Sequence, residues 1–255
     1  MPLLSEVSWT DAEALFKETD VVLLPVGSTE QHGPHNPLGT DHLVAEALSR
    51  MVGEKTQVPV LPVIPVGISA HHRQFPGTLW VPPPTFREYV KAIALAAASH
   101  GARKILIVNG HGGNTAALME VAGELRREHN IFAAVVLAFP GRLDGHAGAK
   151  ETSVNLHFHG DLVKMERAVD TRQKETLGPL KMEGYNRTGP AQFAWDTADL
   201  TDTGIIGAAG ETIMSTKASP EEGRRLMEPY VEEVSEFVEA LKRADVEELL
   251  CKPHK

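Results

Sequence analysis

The sequence predicts an α/β fold with a mainly parallel sheet. Three observations carry this. Four short apolar runs, residues 21–26, 58–66, 104–108 and 131–139, are rich in β-branched residues and stand well apart along the chain. Between them lie segments with apolar residues at helical spacing. The runs are apolar at nearly every position instead of alternating, as in strands covered on both faces. Such strands alternating with helices are the mark of βαβ units and a parallel sheet.

Each element has its own signals. The first run stops at Gly27 and the third at Asn109-Gly110, while Pro140-Gly141 ends the fourth. Pro59, Pro62 and Pro65 interrupt the second run, which therefore reads as an edge or irregular strand, because proline cannot donate to a ladder. Residues 41–52 and 114–129 have helical patterns. A helix over 85–99 opens with Thr85-Phe86-Arg87-Glu88, which fits a capping box, and Gly101 follows as a left-handed cap. A long helix is expected over 220–250, with Ser219 as cap, Pro220 in the first helical position and Glu222 closing a capping box. Residues 160–219 are irregular and rich in Gly, Thr and Asp. They read as loops and short elements added to one domain spanning 1–255.

Composition narrows the function. The chain has 255 residues, 42% of them apolar and 23% charged, which is ordinary for a globular protein. Its formal net charge is -9 and it has no Lys/Arg-rich run. That argues against nucleic acid and anionic membranes as partners and leaves a small-molecule substrate. The single cysteine, Cys251, excludes an intrachain disulfide. Any metal site must use nitrogen and oxygen ligands, and a cytoplasmic location is the simplest expectation. No signal-peptide pattern opens the chain, and the apolar runs fall short of a membrane span of roughly twenty residues.

Three motifs follow predicted strands. The first is Gly27-Ser28-Thr29-Glu30-Gln31-His32-Gly33-Pro34-His35 with Thr40-Asp41-His42. Glu30, His32 and Asp41 mix carboxylate and imidazole, a set that suits Zn, Mn or Fe(II) better than the oxygen shells of Ca or Mg. Glu30 and His32 are two apart, so on extended backbone both side chains face one side. The second motif is Asn109-Gly110-His111-Gly112-Gly113-Asn114. Its glycines permit tight turns and close approach of a ligand to the chain, and free N–H groups at Gly112 and Gly113 suit an oxyanion. The third is Gly145-His146-Ala147-Gly148-Ala149-Lys150-Glu151-Thr152-Ser153, with Glu151 a candidate ligand and His146 a proton-transfer group. Taken singly, each has a bland reading as a polar turn, a glycine-rich connection or a helix start. Taken together they sit where open α/β sheets build their sites, beyond the carboxyl ends of the strands.

With these residues in place the chain resembles the creatininase (creatinine amidohydrolase) family. The resemblance rests on Leu24 to His35, Thr40-Asp41, Asn109 to Asn114, His146-Ala147-Gly148 and Glu151-Thr152-Ser153, supported by Phe75-Pro76-Gly77-Thr78 and Gly204-Ile205-Ile206-Gly207. It implies a three-layer α/β/α fold, two divalent metal ions per chain (Zn, Mn or Fe(II)) and a homohexamer. It also implies that Asp41 bridges the ions, with Glu30 and His111 completing one site and His32 the other. Creatinine-hydrolysing members carry a Glu two residues after the histidine of the second motif. Here that position is Gly113, so Glu151 is assigned to the second ion and creatinine is a doubtful substrate. The expected reaction is hydrolysis of a C–N bond other than a peptide bond, in a cyclic amide or formamide, by a metal-activated water, with His146 and Glu151 catalytic. The alternatives are a C–C hydrolase opening a cyclic polyol ketone, or a non-catalytic metal-binding protein on the same scaffold. His35, His72, Gly112 and Gly113 are candidates for substrate binding. His157 and His159 read as structural, and Trp80 and Trp195 as buried packing residues, with pocket walls as the alternative.

Overall fold

The computed structural model describes residues 3–141 and 143–250; Cys251 lies outside them. Strands β1 (Val21–Val26), β2 (Lys104–Asn109) and β3 (Phe132–Leu137) form a parallel sheet in the order β1-β2-β3. The register sets Leu24 beside Ile107 and Ile107 beside Val135. Every residue of β1 and β2 is buried, as unbroken apolar runs require. β3 departs from that expectation: it is half-buried and Leu137 is 47% exposed. Among the described residues no strand pairs with its outer side.

Residues 58–66 flank the free side of β1. Leu23 N–H donates to Pro59 O, Leu61 N–H to Leu23 O, Ile64 N–H to Pro25 O and Gly27 N–H to Ile64 O, at 2.9–3.0 Å. Only isolated bridges form, at Val60 and Ile64. The prolines remove the other donors, so this segment is the irregular edge its composition predicts.

Helices cover both faces. On one side α2 (Thr40–Thr56), α5 (Ala149–His159) and α7 (Pro220–Arg243) pack onto Val21, Leu23, Leu106 and Val108 through Val44, Leu48, Val154, Met227 and Val234. On the other, α3 (Pro83–Ser99) and α4 (Thr115–His129) pack onto Val22, Leu24, Ile105 and Ile107 through Phe86, Val90, Leu118 and Leu125. α1 (Trp9–Glu18) adds Phe16 at the margin of that second core. Each fully buried aliphatic side chain contributes about 1.5–3 kcal/mol of transfer free energy. The α/β fold is the expected one, with a sheet between two helical layers.

Some helix ends differ from expectation. α3 starts at Pro83, ahead of Thr85, with no side-chain cap. Proline's fixed φ suits a first turn and its missing N–H costs nothing there, so the proline run opens the helix earlier. Gly101 closes α3 at φ +113° as expected. Ser219 caps α7 through Glu222 N–H, but the Glu222 carboxylate turns to Arg225 and the Ser219 N–H goes to Ser153 Oγ. The last helix breaks at Ala244 and resumes as α8 (Val246–Leu249), capped by Asp245.

Within 160–219 the chain forms three two-residue ladders, β4 (Thr171–Arg172) with β9 (Thr212–Ile213), β5 (Thr176–Leu177) with β6 (Leu180–Lys181), and β7 (Arg187–Thr188) with β8 (Ala191–Gln192), together with the short α6 (Thr197–Leu200). This segment roofs the carboxyl ends of the strands. Among the described residues no helix is long and apolar enough to cross a membrane.

Candidate metal centre

Two glycines let the first turn of α2 rest on the strand ends. A Cβ on Gly27 would lie 2.3 Å from His42 N, and one on Gly110 would lie 2.1 Å from Asp41 O. Any side chain at either position would lift Asp41 away. The loop carrying Glu30 and His32 is pinned by Glu30 N–H to Leu38 O at 2.8 Å, Gln31 N–H to Thr78 Oγ1 at 3.2 Å and Leu79 N–H to Thr29 O at 2.8 Å. Both asparagines of the second motif brace the His111 loop. Asn109 Oδ1 accepts from His111 N–H at 3.1 Å, while Asn114 bonds Ile68 N–H at 2.9 Å and Gly27 O at 3.0 Å. Glu151 stands in the first turn of α5 and accepts from Ala147 N–H, an alanine held at φ 56°. His146 is fixed by paired backbone bonds with Ile206.

These loops bring the five predicted ligand residues into one buried cluster. Candidate ligand atoms of Glu30, Asp41 and His111 lie within 4.8 Å of one another, and so do those of His32, Asp41 and Glu151. His111 Nδ1 is 3.2 Å from both Glu30 Oε1 and Asp41 Oδ2, and His32 Nε2 is 3.1 Å from Asp41 Oδ1 and 3.9 Å from Glu151 Oε1. The far nitrogen of each ring donates to a backbone carbonyl: His32 Nδ1 to Glu30 O at 3.1 Å and His111 Nε2 to Ile68 O at 2.9 Å. In neutral rings this turns a lone pair towards the carboxylates, the arrangement found around metal-binding histidines. Glu30 Oε2 and Asp41 Oδ2 are buried without a hydrogen-bond partner. Buried acceptors with no donor are costly, and a cation satisfies them. The residues present therefore fit divalent metal ions.

Without a cation the cluster attracts protons. Burial lowers the His32 pKa, but Asp41 and then Glu151 overcome it and push it up to about 10. Burial likewise works against the His111 imidazolium, yet Glu30 and Asp41 hold its pKa well above the usual value. Burial raises Glu151 to about 7 despite His32. His146 goes the other way, driven well below its ordinary value by burial and by the neighbouring His32 and His72.

A cavity of about 790 Å³ opens over the cluster, walled by Glu30, Asp41, His111 and Glu151 on one side and by Leu143, Phe193 and Trp195 on the other. His72, His146, Gly112 and Gly113 line it too. A Cβ on Gly113 would lie 2.4 Å from His111 Nε2 and 2.5 Å from Ile68 O, so this loop has no room for a glutamate at that position. His35 is placed elsewhere: it does not line this cavity, and its Nε2 lies 2.9 Å from Thr152 Oγ1. His157 and His159 sit on the outer part of α5, His159 Nε2 lying 3.3 Å from Leu43 O. Trp195 takes the alternative role of a cavity wall, while Trp80, 45% exposed, departs from the packing expectation. Gln31, Thr197, Tyr185 and Phe193 were not singled out by the sequence. Only Gln31, placed between Glu30 and His32, carried a signal.

An α/β scaffold with buried carboxylates and imidazoles at its strand ends, under a cavity, defines a metal-dependent hydrolase. The comparisons agree. The Creatininase family, described as creatinine amidohydrolase, matches residues 5–238. The chain is 31% identical over 243 residues to the mycofactocin precursor peptide peptidase of Mycobacterium tuberculosis (strain CDC 1551 / Oshkosh), covering 91% of this chain and 90% of that protein. It is 28% identical over 264 residues to the creatinine amidohydrolase of Pseudomonas putida, covering 92% and 95%. A solved creatininase structure designated Mn matches with a TM-score of 0.78 at 27% identity, covering 95% of this chain and 99% of that one. A mutant creatininase of Zn-Zn type also matches at 0.78, with 26% identity and coverage of 95% and 98%. The chain belongs to the creatininase family and is a metal-dependent amidohydrolase.

Proposed function

We propose that the cluster holds two divalent metal ions and hydrolyses an amide-type C–N bond in a small cyclic amide or formamide. Glu30, Asp41 and His111 would hold one ion, and His32, Asp41 and Glu151 would hold the other. The observation that carries this reading is that Asp41 belongs to two of the three candidate ligand triplets here, with Glu30 and His111 and with His32 and Glu151, the third being Glu30, His32 and His146. Mixed imidazole and carboxylate donors accept Zn, Mn or Fe(II), and availability then decides which is bound. When bound, such ions bring the pKa of a water towards neutrality and polarise a carbonyl.

The chain's own residues supply the rest. His146 Nε2 donates to Gln31 O at 2.8 Å, which leaves Nδ1 facing the site, 3.9 Å from Glu30 Oε1. That nitrogen receives the proton of the attacking water as the new C–O bond forms. It returns the proton to the leaving nitrogen as the C–N bond breaks. Gly112 and Gly113 line the side where the carbonyl oxygen gains charge, and backbone N–H groups there would steady it. Leu143, Phe193 and Trp195 keep water from the far wall. The same reading takes 1–255 as one creatininase-like domain in a cytoplasmic homohexamer, which gel filtration would check.

The test is the metal content of freshly purified protein beside Asp41→Ala. About two divalent ions per chain in wild type, mostly lost in the variant, is the expected result. Protein without bound metal, even after incubation with Zn, Mn or Fe(II), would remove the proposal. A second reading, a peptide as substrate, is favoured by one feature. The cavity abuts another of about 620 Å³ at Leu143 and Tyr185, giving room for an extended chain. Turnover of short peptides but not of cyclic amides or formamides would select it.

A further inference from the structure

His72 is 1% exposed and lies behind Glu30, with its Nε2 3.3 Å from Glu30 Oε1. A bare lone pair facing a carboxylate at that distance is repelled, so the nitrogen presents its hydrogen to Glu30. The ring is gripped from the other edge. Nδ1 lies 2.7 Å from Thr197 Oγ1 and 2.9 Å from Gln31 Nε2. The Gln31 amide is itself oriented, its Oε1 accepting from Gly33 N–H at 3.0 Å and its Nε2 donating to Gly204 O at 2.9 Å. Thr197 Oγ1 also reaches His71 O at 2.9 Å.

Thr197 belongs to the roof, and the neighbouring residues repeat the tie. Arg73, next to His72, meets Asp196, next to Thr197, through two parallel contacts of 2.5 Å. A bidentate pair of this kind sets relative position more than it adds stability. Two adjacent pairs of residues, 72–73 and 196–197, thus lock the roof to the segment behind Glu30. His71 and His72 also contact the Trp195 ring edge-on, at 5.1 and 6.4 Å between centroids.

We propose that His72 is a positioning residue: held by Thr197 and Gln31, it fixes the Glu30 carboxylate for its metal ion and couples that ligand to the roof of the cavity. This rests on the two-metal reading above. Residues that orient a ligating carboxylate typically change metal affinity by about 10–100-fold when removed.

The experiment is chelator competition with Mn(II), and separately Zn(II), on wild type, His72→Phe, Thr197→Val and Thr197→Ser, with thermal melts of each metal-free protein. His72→Phe should weaken one of the two ions by about 10–100-fold and leave the other within about threefold. Thr197→Val should weaken the same ion by less. Thr197→Ser, which keeps the hydroxyl, should restore it, an outcome that simple loss of packing does not produce. Wild-type affinity for both ions in His72→Phe would overturn the proposal, and so would Thr197→Ser as weak as Thr197→Val. If His72→Phe does not fold, the two Thr197 variants decide alone. Wild type that binds no ion removes the two-metal reading as well; wild type that binds both while His72→Phe is unaffected removes only this one.

Discussion

Gly110→Ala tests how the fold builds the site. Gly110 directly follows β2, and its N–H donates to Val26 O at 2.8 Å. A Cβ there would lie 2.1 Å from Asp41 O and 2.7 Å from Asp41 C. Real Cβ contacts essentially never fall under 3.0 Å, so the Asp41 backbone would have to retreat by about 0.9 Å. The atoms in the way are backbone at the start of a packed helix and cannot swing aside. Metal–ligand distances tolerate about ±0.2 Å, and a misplacement of about 1 Å in a site can cost on the order of a hundredfold. Because Asp41 belongs to the triplets proposed for both ions, both ions should weaken together, by roughly a hundredfold each. The overpacking should cost about 1–3 kcal/mol of stability, which leaves a folded protein. Chelator competition gives the affinities, and circular dichroism confirms the fold. Gly112→Ala is the control, since nothing lies within 4 Å of its added Cβ and its metal affinity should not change. A folded Gly110→Ala protein that binds both ions as wild type would refute the argument that this close approach positions Asp41.

Two further outcomes follow from the same geometry. Gly113→Glu should not restore a creatinine-hydrolysing site, because its Cβ would displace His111 from Ile68 O; the ion held by Glu30 and His111 should be lost, and a variant that binds both ions and opens creatinine would refute this. The metal-free chain should lose stability on the alkaline side. His32 is raised from 6.5 to about 10 and His111 well above 6.5, so their contribution is full below about pH 6.5 and disappears as pH rises through those folded values. Denaturant melts between about pH 7 and 10 should show a decline that is absent when ions hold these rings unprotonated; equal slopes with and without metal would show that the rings carry no linked protons.

Most of the sheet and the ligand cluster could be read from the chain because both depend on local pattern. β1 and β2 are continuous apolar runs, and each ends in a glycine-containing turn that the next helix must meet. The candidate ligands Glu30, His32 and His111 lie within a few residues of those turns, so their place beyond the strand ends could be read directly, whereas Glu151 in α5 entered through the family resemblance. What spacing could not convey is partnership across the chain. Thr197 reaches His72 over 125 residues, from a segment whose two-residue ladders have no periodicity to detect. The half-exposed β3 has the same cause, because an edge position depends on what fails to pair with it and not on its own apolar run. His35 was named for its nearness to His32, yet the turn at Gly33, with φ +67°, sends its ring towards Thr152 instead.

The glycines of the site meet two kinds of neighbour. A glycine-rich loop beside a histidine suggests backbone close to a ligand, and Gly112, with open space beside it in the cavity wall, suits that description. Gly110 and Gly113 line the cavity too, but at Gly27, Gly110 and Gly113 a second constraint acts. The atoms that exclude a side chain there belong to His42, Asp41, His111 and Ile68, all of them protein. Each of these three glycines lets one piece of chain sit against another so that a ligand side chain arrives where it is needed. Substitution at Gly112 should therefore be felt by the substrate, while substitution at Gly27, Gly110 or Gly113 should be felt first by the metal ions.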